Sequence, residues 1–155
     1  MWNKSRSLSL SIGVCFGFAA ILTLLLFSAP WAIRLWYVGY RELDVQDPAV
    51  QKMIKVFTVS FYLCVPMGYL TLYSLLKLLF NIKREETFIP QNVKYLRRIS
   101  WCCIAVALIT LIGGMFYLPF LFIAVAAGFV GLMLRIVKNV MHSATEIKAE
   151  NELTI

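Results

Sequence analysis

The chain has 155 residues, 61% of them apolar and 15% charged, with a net charge of +7 and a mean hydropathy of +0.78. A soluble domain is about 45–50% apolar, so the composition excludes an ordinary globular domain and leaves little chain for a soluble part beside a membrane core. Residues 1–155 are expected to form one all-α integral membrane domain.

The short polar start carries Lys4 and Arg6, and residues 8–29 then carry no charge. This run exceeds the apolar region of a cleaved signal peptide, about 7–15 residues. The small residues at its end, Ser28 and Ala29, are followed by Pro30. The first span is therefore read as uncleaved, over about 8–29. An outer loop, 30–55, follows. Trp31, Trp36, Tyr37 and Tyr40 open it as an interfacial aromatic belt, and Arg34 and Arg41 can snorkel there. Asp47-Pro48 is a helix-start signal, with Asp as the cap and Pro at the first helical position. The second span, about 56–78, contains Pro66, which removes one backbone hydrogen bond. A loop over 79–95 follows. The third helix starts near Pro90 and enters lipid at Tyr95, Arg97 and Arg98, with Trp101 as a further interface anchor.

Residues 99–134 contain no Asp, Glu, Lys, Arg or His. One span takes about 20 residues, so this stretch reads as a tight pair of helices, about 96–116 and 119–140, turning near Gly113, Gly114 and Pro119. In the fourth helix, Ala124 with Gly128 and Ala127 with Gly131 place small residues four apart. That spacing allows close helix approach, used either inside the chain or as a homodimer face through Ala124, Gly128 and Gly131. The fold expected is two hairpins, with the fourth helix continuing as an amphipathic tail over 141–155. Its apolar stripe is Ile136, Val137, Val140, Met141, Ala144 and Ile147.

Lysines and arginines number two at the N-terminus, six in 77–98 and three in the tail, against four in 30–55. The positive-inside rule then places both termini and the 79–95 loop in the cytoplasm of a multi-pass membrane protein. His142 is the sole histidine, which rules out a paired-histidine metalloprotease site. No phosphate-binding glycine loop or nucleophile elbow is present. The span interiors hold no ionisable group, whereas pumps and proton relays need one. Cys15, Cys64, Cys102 and Cys103 lie in apolar runs and read as small core residues. No catalytic, metal or cofactor-binding residue is identified, and the protein is expected to be no enzyme.

Residues 88–100, FIPQNVKYLRRIS, resemble the F-T-x-x-N-V-x-x-L-R-x-I-S pattern of a bacterial membrane family, the domain-of-unknown-function family 2975. Residues 134–155, LRIVKNVMHSATEIKAENELTI, resemble its closing pattern, and the resemblance is read over essentially the whole chain. Ile89 stands where the family often has Thr or Ser, so the helix cap is altered, and Glu152 replaces Asp. The resemblance implies a small four-helix membrane protein without established activity. Its members are often encoded beside a small helix-turn-helix regulator.

The first functional expectation is a regulatory tether on which the basic loop and tail hold a cytoplasmic partner such as that regulator. The partner-binding residues would be Phe88, Asn92, Arg97, Arg98, Arg135, Asn139, Lys148, Glu150, Asn151, Leu153 and Ile155. The apolar Leu153 and Ile155 are either buried in the chain's own fold or offered to the partner. Direct nucleic-acid binding is not expected, and contact with anionic lipid is. The second expectation is an immunity or envelope-stress protein that intercepts membrane-active peptides with the aromatic outer loop.

Overall fold

The computed structural model describes residues 4–36, 39 and 46–153, except for the side chains of residues 4, 5, 152 and 153. Its helices are α1 (Lys4–Leu35), α2 (Pro48–Lys83), α3 (Pro90–Gly114) and α4 (Pro119–Leu153), and no strand occurs among the described residues. All four are long and apolar enough to cross a membrane, and the chain is a multi-pass membrane protein. At 1.5 Å per residue, α2 and α4 are each more than about 50 Å long and overrun a bilayer core of about 30 Å.

Helix α2 begins where the sequence places it. The Asp47 carboxylate accepts the Ala49 N–H at 2.9 Å, and Pro48 occupies the first turn. Helix α1 runs past the predicted end of its span, through Pro30 to Leu35. A proline inside a helix frees the carbonyl four residues earlier, here that of Leu26. The Tyr62 hydroxyl of α2 donates to that carbonyl at 3.2 Å. A neighbouring helix thereby supplies the bond that the proline removes. Helix α2 is likewise continuous through Pro66 and ends at Lys83, which shortens the predicted 79–95 loop to residues 84–89.

Consecutive helices pack on one another: α3 most extensively on α4, α2 on α3, and α1 on α2. Because α2 also packs on α3, the helices form one continuous series. Lipid is as apolar as leucine, so association rests on close packing and hydrogen bonds. Gly131 of α4 shows the packing. A Cβ there would lie 3.1 Å from Ile104 Cγ1 and 3.3 Å from the Ser100 carbonyl oxygen of α3. The near contact lets the Ser100 hydroxyl donate to the Gly131 carbonyl at 2.8 Å. Ala124 is buried, and Gly128 faces Ala107 of α3, so the small-residue stripe is in use inside the chain.

Residues 115–118 form the α3–α4 turn, and three of its N–H groups bond back to the end of α3. Met115 N–H bonds to the Ile112 carbonyl, and Phe116 and Tyr117 both bond to Gly113. The turn side chains are apolar, and Met115 is 86% exposed. Phe57 of α2 stacks on Phe120 at 4.9 Å and meets the edge of Tyr117 at 6.4 Å, so α2 is fastened to the turn. Helix α1 is held more sparsely. Its ties are Tyr62 to Leu26, the Thr23–Tyr69 hydroxyl pair at 2.8 Å, and Ala29 and Ile33 packed against Met53, Ile54, Phe57 and Phe61. Phe27 (80% exposed) and Phe122 (72%) are typical of the outer surface, which suits lipid.

The continuation of α4 toward Leu153 is helical, and the predicted apolar stripe packs only in part. Ile136, Val137, Val140 and Ile147 are exposed, Met141 and Ala144 of the same stripe are half-buried, and Lys138 and Thr145 are half-buried beside them. The reason lies in α3, whose opposing surface carries Lys94 and Arg97 and so accepts a polar face.

The turn yields a stability prediction. A Cβ on Gly113 would sit 2.6 Å from Cδ2 of the buried Phe120, whereas one on Gly13 would meet nothing within 4 Å. Gly113→Ala should cost about 1–3 kcal/mol by overpacking. Gly13→Ala should be neutral or slightly stabilising, since alanine is the better helix former. Thermal unfolding of both variants in mild detergent measures the contrast.

Candidate functional site

The end of the molecule that carries the α2–α3 loop is built around Asn92. Its side chain is fully buried. The amide nitrogen donates to the Glu86 and Thr87 carbonyls, both at 2.8 Å, and the amide oxygen accepts from Asn81 Nδ2 at 2.8 Å. One side chain thus ties the start of α3 to the end of α2 and to the loop between them. The end of α2 closes in a Schellman motif: Glu86 N–H bonds to the Asn81 carbonyl, and Glu85 N–H to Ile82. That closure needs a left-handed residue, and Glu85 takes the role with φ 66°. At the head of α3, Ile89 has extended dihedrals and makes no side-chain cap bond, as its type predicts.

Two depressions lie between α3 and the outgoing part of α4. The first, about 260 Å³, is polar-walled and lined by Arg97, Ser100, Trp101, Arg135 and Lys138. The Arg135 guanidinium lies 5.6 Å from the centre of the Trp101 ring, a cation–π arrangement that fixes its position. The second, about 280 Å³, is lined by Arg97 and Lys94 of α3 and by His142, Thr145, Glu146 and Ala149 of α4, among others. His142 Nδ1 and Glu146 Oε2 are 3.2 Å apart across one helical turn. Arg97 belongs to both depressions. Among the described residues no three His, Cys, Asp or Glu side chains gather as a metal site.

The family described as "Protein of unknown function (DUF2975)" matches residues 38–155. The chain belongs to this family. The match is narrower than the resemblance read over the whole chain, because it covers α2, α3 and α4 and begins after α1. No curated protein and no solved structure matches the chain.

Within this DUF2975 chain the residues singled out for partner binding separate into groups. Phe88, Arg97, Arg98, Arg135, Asn139, Lys148, Glu150 and Asn151 are exposed at the basic end. Asn92 is enclosed, so its contribution is to hold the loop rather than to touch another molecule. The Leu153 side chain and Ile155 lie outside the described residues, as do Tyr37, Tyr40 and Arg41. Trp31 and Trp36 are exposed at the opposite end, and Trp101 is exposed near the basic end. Ser100, Lys138, Lys94, His142, Thr145 and Glu146 also line the two depressions and were not among the residues singled out. The signal for them is the turn: residues at about the same distance on either side of 115–118 meet, which brings Ser100 close to Gly131 and Arg97 close to Arg135.

Two predictions concern the loop. Asn92→Asp keeps the shape but points a carboxylate at two carbonyl oxygens. It should cost about 3–5 kcal/mol, more than the 2–3 of Asn92→Ala, as expected when a buried polar group loses its partner. The same unfolding measurement decides the order, and a site that only needed filling would rank alanine as the worse. Glu85→Gly should stabilise by up to about 1 kcal/mol, because glycine adopts the left-handed conformation without steric cost.

Proposed function

We propose that this DUF2975 protein is a non-enzymatic membrane tether whose basic end faces the cytoplasm and holds a soluble partner. The observation that carries the reading is the α2–α3 loop, over-determined by Asn92, beside an open face of α3 and α4 that carries Lys94, Arg97, His142 and Glu146. A loop held by three side-chain hydrogen bonds presents Phe88, 45% exposed, at a fixed place beside that face. Exposed aromatic and arginine side chains on a rigid support are the usual anchors of an interface. The end of α4, with Lys148, Glu150 and Asn151, extends the surface. The family resemblance makes a helix-turn-helix regulator the first candidate partner. The excess of Lys and Arg at this end supports the cytoplasmic orientation.

Affinity capture from native membranes in mild detergent tests the reading. The expected result is a helix-turn-helix regulator enriched with the full chain and lost on Phe88→Ala or on deletion of residues 150–155, with insertion unchanged. Retention of the regulator by both variants would remove the proposed surface. Absence of any specific cytoplasmic protein would move attention to the opposite end. There Trp36, Phe57, Phe61 and Tyr117 help line an apolar groove of about 410 Å³ that suits the peptide-intercepting alternative.

A further inference from the structure

We infer that the depression formed by Arg97, Arg135 and Lys138 seats the phosphate of an anionic phospholipid. Three cations surround about 260 Å³, and none of the five lining residues is acidic. The only hydroxyl among them, that of Ser100, is already donated to the Gly131 carbonyl. Recognition therefore falls to the two guanidiniums and the ammonium. Guanidinium groups bind phosphate oxygens through paired donors, and Arg135 is pre-positioned on the Trp101 ring. Like charges placed this close repel one another, and a bound anion removes that cost.

The depth of the depression argues for lipid as the source of the phosphate. Residues 99–134 contain no Asp, Glu, Lys, Arg or His, and Arg97 and Arg135 stand just outside the two ends of that stretch. The pocket therefore lies where the chain passes from apolar to charged, which is the headgroup level of a bilayer. Trp101 (57% exposed) and Leu108 (58%) lie seven residues apart on one stripe of α3 and offer an acyl chain an apolar track. A net-anionic headgroup suits three cations better than a zwitterionic one, whose own amine competes for the phosphate. This assignment does not depend on the soluble-partner reading, because it requires only that the four helices lie in a membrane.

The test uses the full chain purified in mild detergent, with lipid retention read by native mass spectrometry and titration followed by thermal shift. The probes are phosphatidylglycerol, phosphatidylcholine and inorganic phosphate. The expected result is saturable stabilisation by phosphatidylglycerol, with phosphatidylcholine and inorganic phosphate far weaker. R97Q/R135Q/K138Q should weaken apparent affinity at least about tenfold, given that each basic group near an anionic surface contributes severalfold. K83Q/R84Q/R98Q removes three exposed charges outside the pocket, and its affinity should stay within about twofold of the parent. The lysine variant R97K/R135K keeps charge but loses the fork. It should be intermediate, and it serves if the glutamine triple does not fold. Equal losses in the two triple variants would replace a site with diffuse surface charge, and equal response to phosphatidylcholine would overturn the headgroup assignment. Stabilisation by inorganic phosphate alone, equal to that by lipid, would assign the pocket to a soluble anion instead.

Discussion

Lipid offers the backbone no hydrogen bonds, and each unsatisfied group in hydrocarbon costs several kcal/mol. Much of the architecture follows from that constraint. It favours continuous helices, so α1 is carried through Pro30 and α2 through Pro66. It explains why a tyrosine on α2 covers the carbonyl that Pro30 releases, and why three N–H groups of the residue 115–118 turn bond back to the last carbonyls of α3. The Ser100 bond to Gly131 follows the same logic in reverse: a polar side chain buried between α3 and α4 is tolerated because the adjacent backbone carbonyl accepts its hydrogen bond.

A second consequence is uneven cohesion. Where small residues let backbones approach, as at Gly131 and Gly114, helices α3 and α4 lock together and bring α2 with them through the Phe57, Tyr117 and Phe120 rings. Helix α1 is joined to α2 by two tyrosine hydroxyls, by Leu22 against Gly68 and by the small cluster around Ala29 and Ile33. The family match leaves out this same helix. The matched segment, α2 to α4, contains the Asn92 lock, both α3–α4 depressions and the turn, so the rigid part of the molecule and the candidate site coincide.

The basic end combines rigidity with uncompensated charge. Asn92 and the Glu85 closure fix the loop at a cost in backbone strain, and strain of that kind persists only where the surroundings over-determine it. The cations are arranged differently. Arg97, Arg135 and Lys138 converge with no acid among them, whereas the nearby Glu146 is engaged with His142. A folded chain that gathers cations without a counter-ion gains stability from an external anion. The bilayer surface beside these residues is an available source of one.

Much of this protein was legible from local chemistry. The charge-free runs determined the number of helices, because the cost of burying charge in lipid leaves a one-dimensional record. Asp47-Pro48, Pro90 and Pro119 determined three helix starts, because capping acts within one turn. Helix ends were less legible: Pro30 reads as a terminator until Tyr62 is seen to satisfy Leu26. Asn92, legible as a motif residue, gave no sign that it is buried, since its three bonds reach residues five to eleven positions away. The tail showed an apolar stripe, but only the packing against α3 decided which face is covered. Arg97 and Arg135 stand 38 positions apart in the chain. Only the tight turn at 115–118 and the close seam at Gly131 fold that distance into one pocket, because proximity across antiparallel helices depends on register, which no single segment contains.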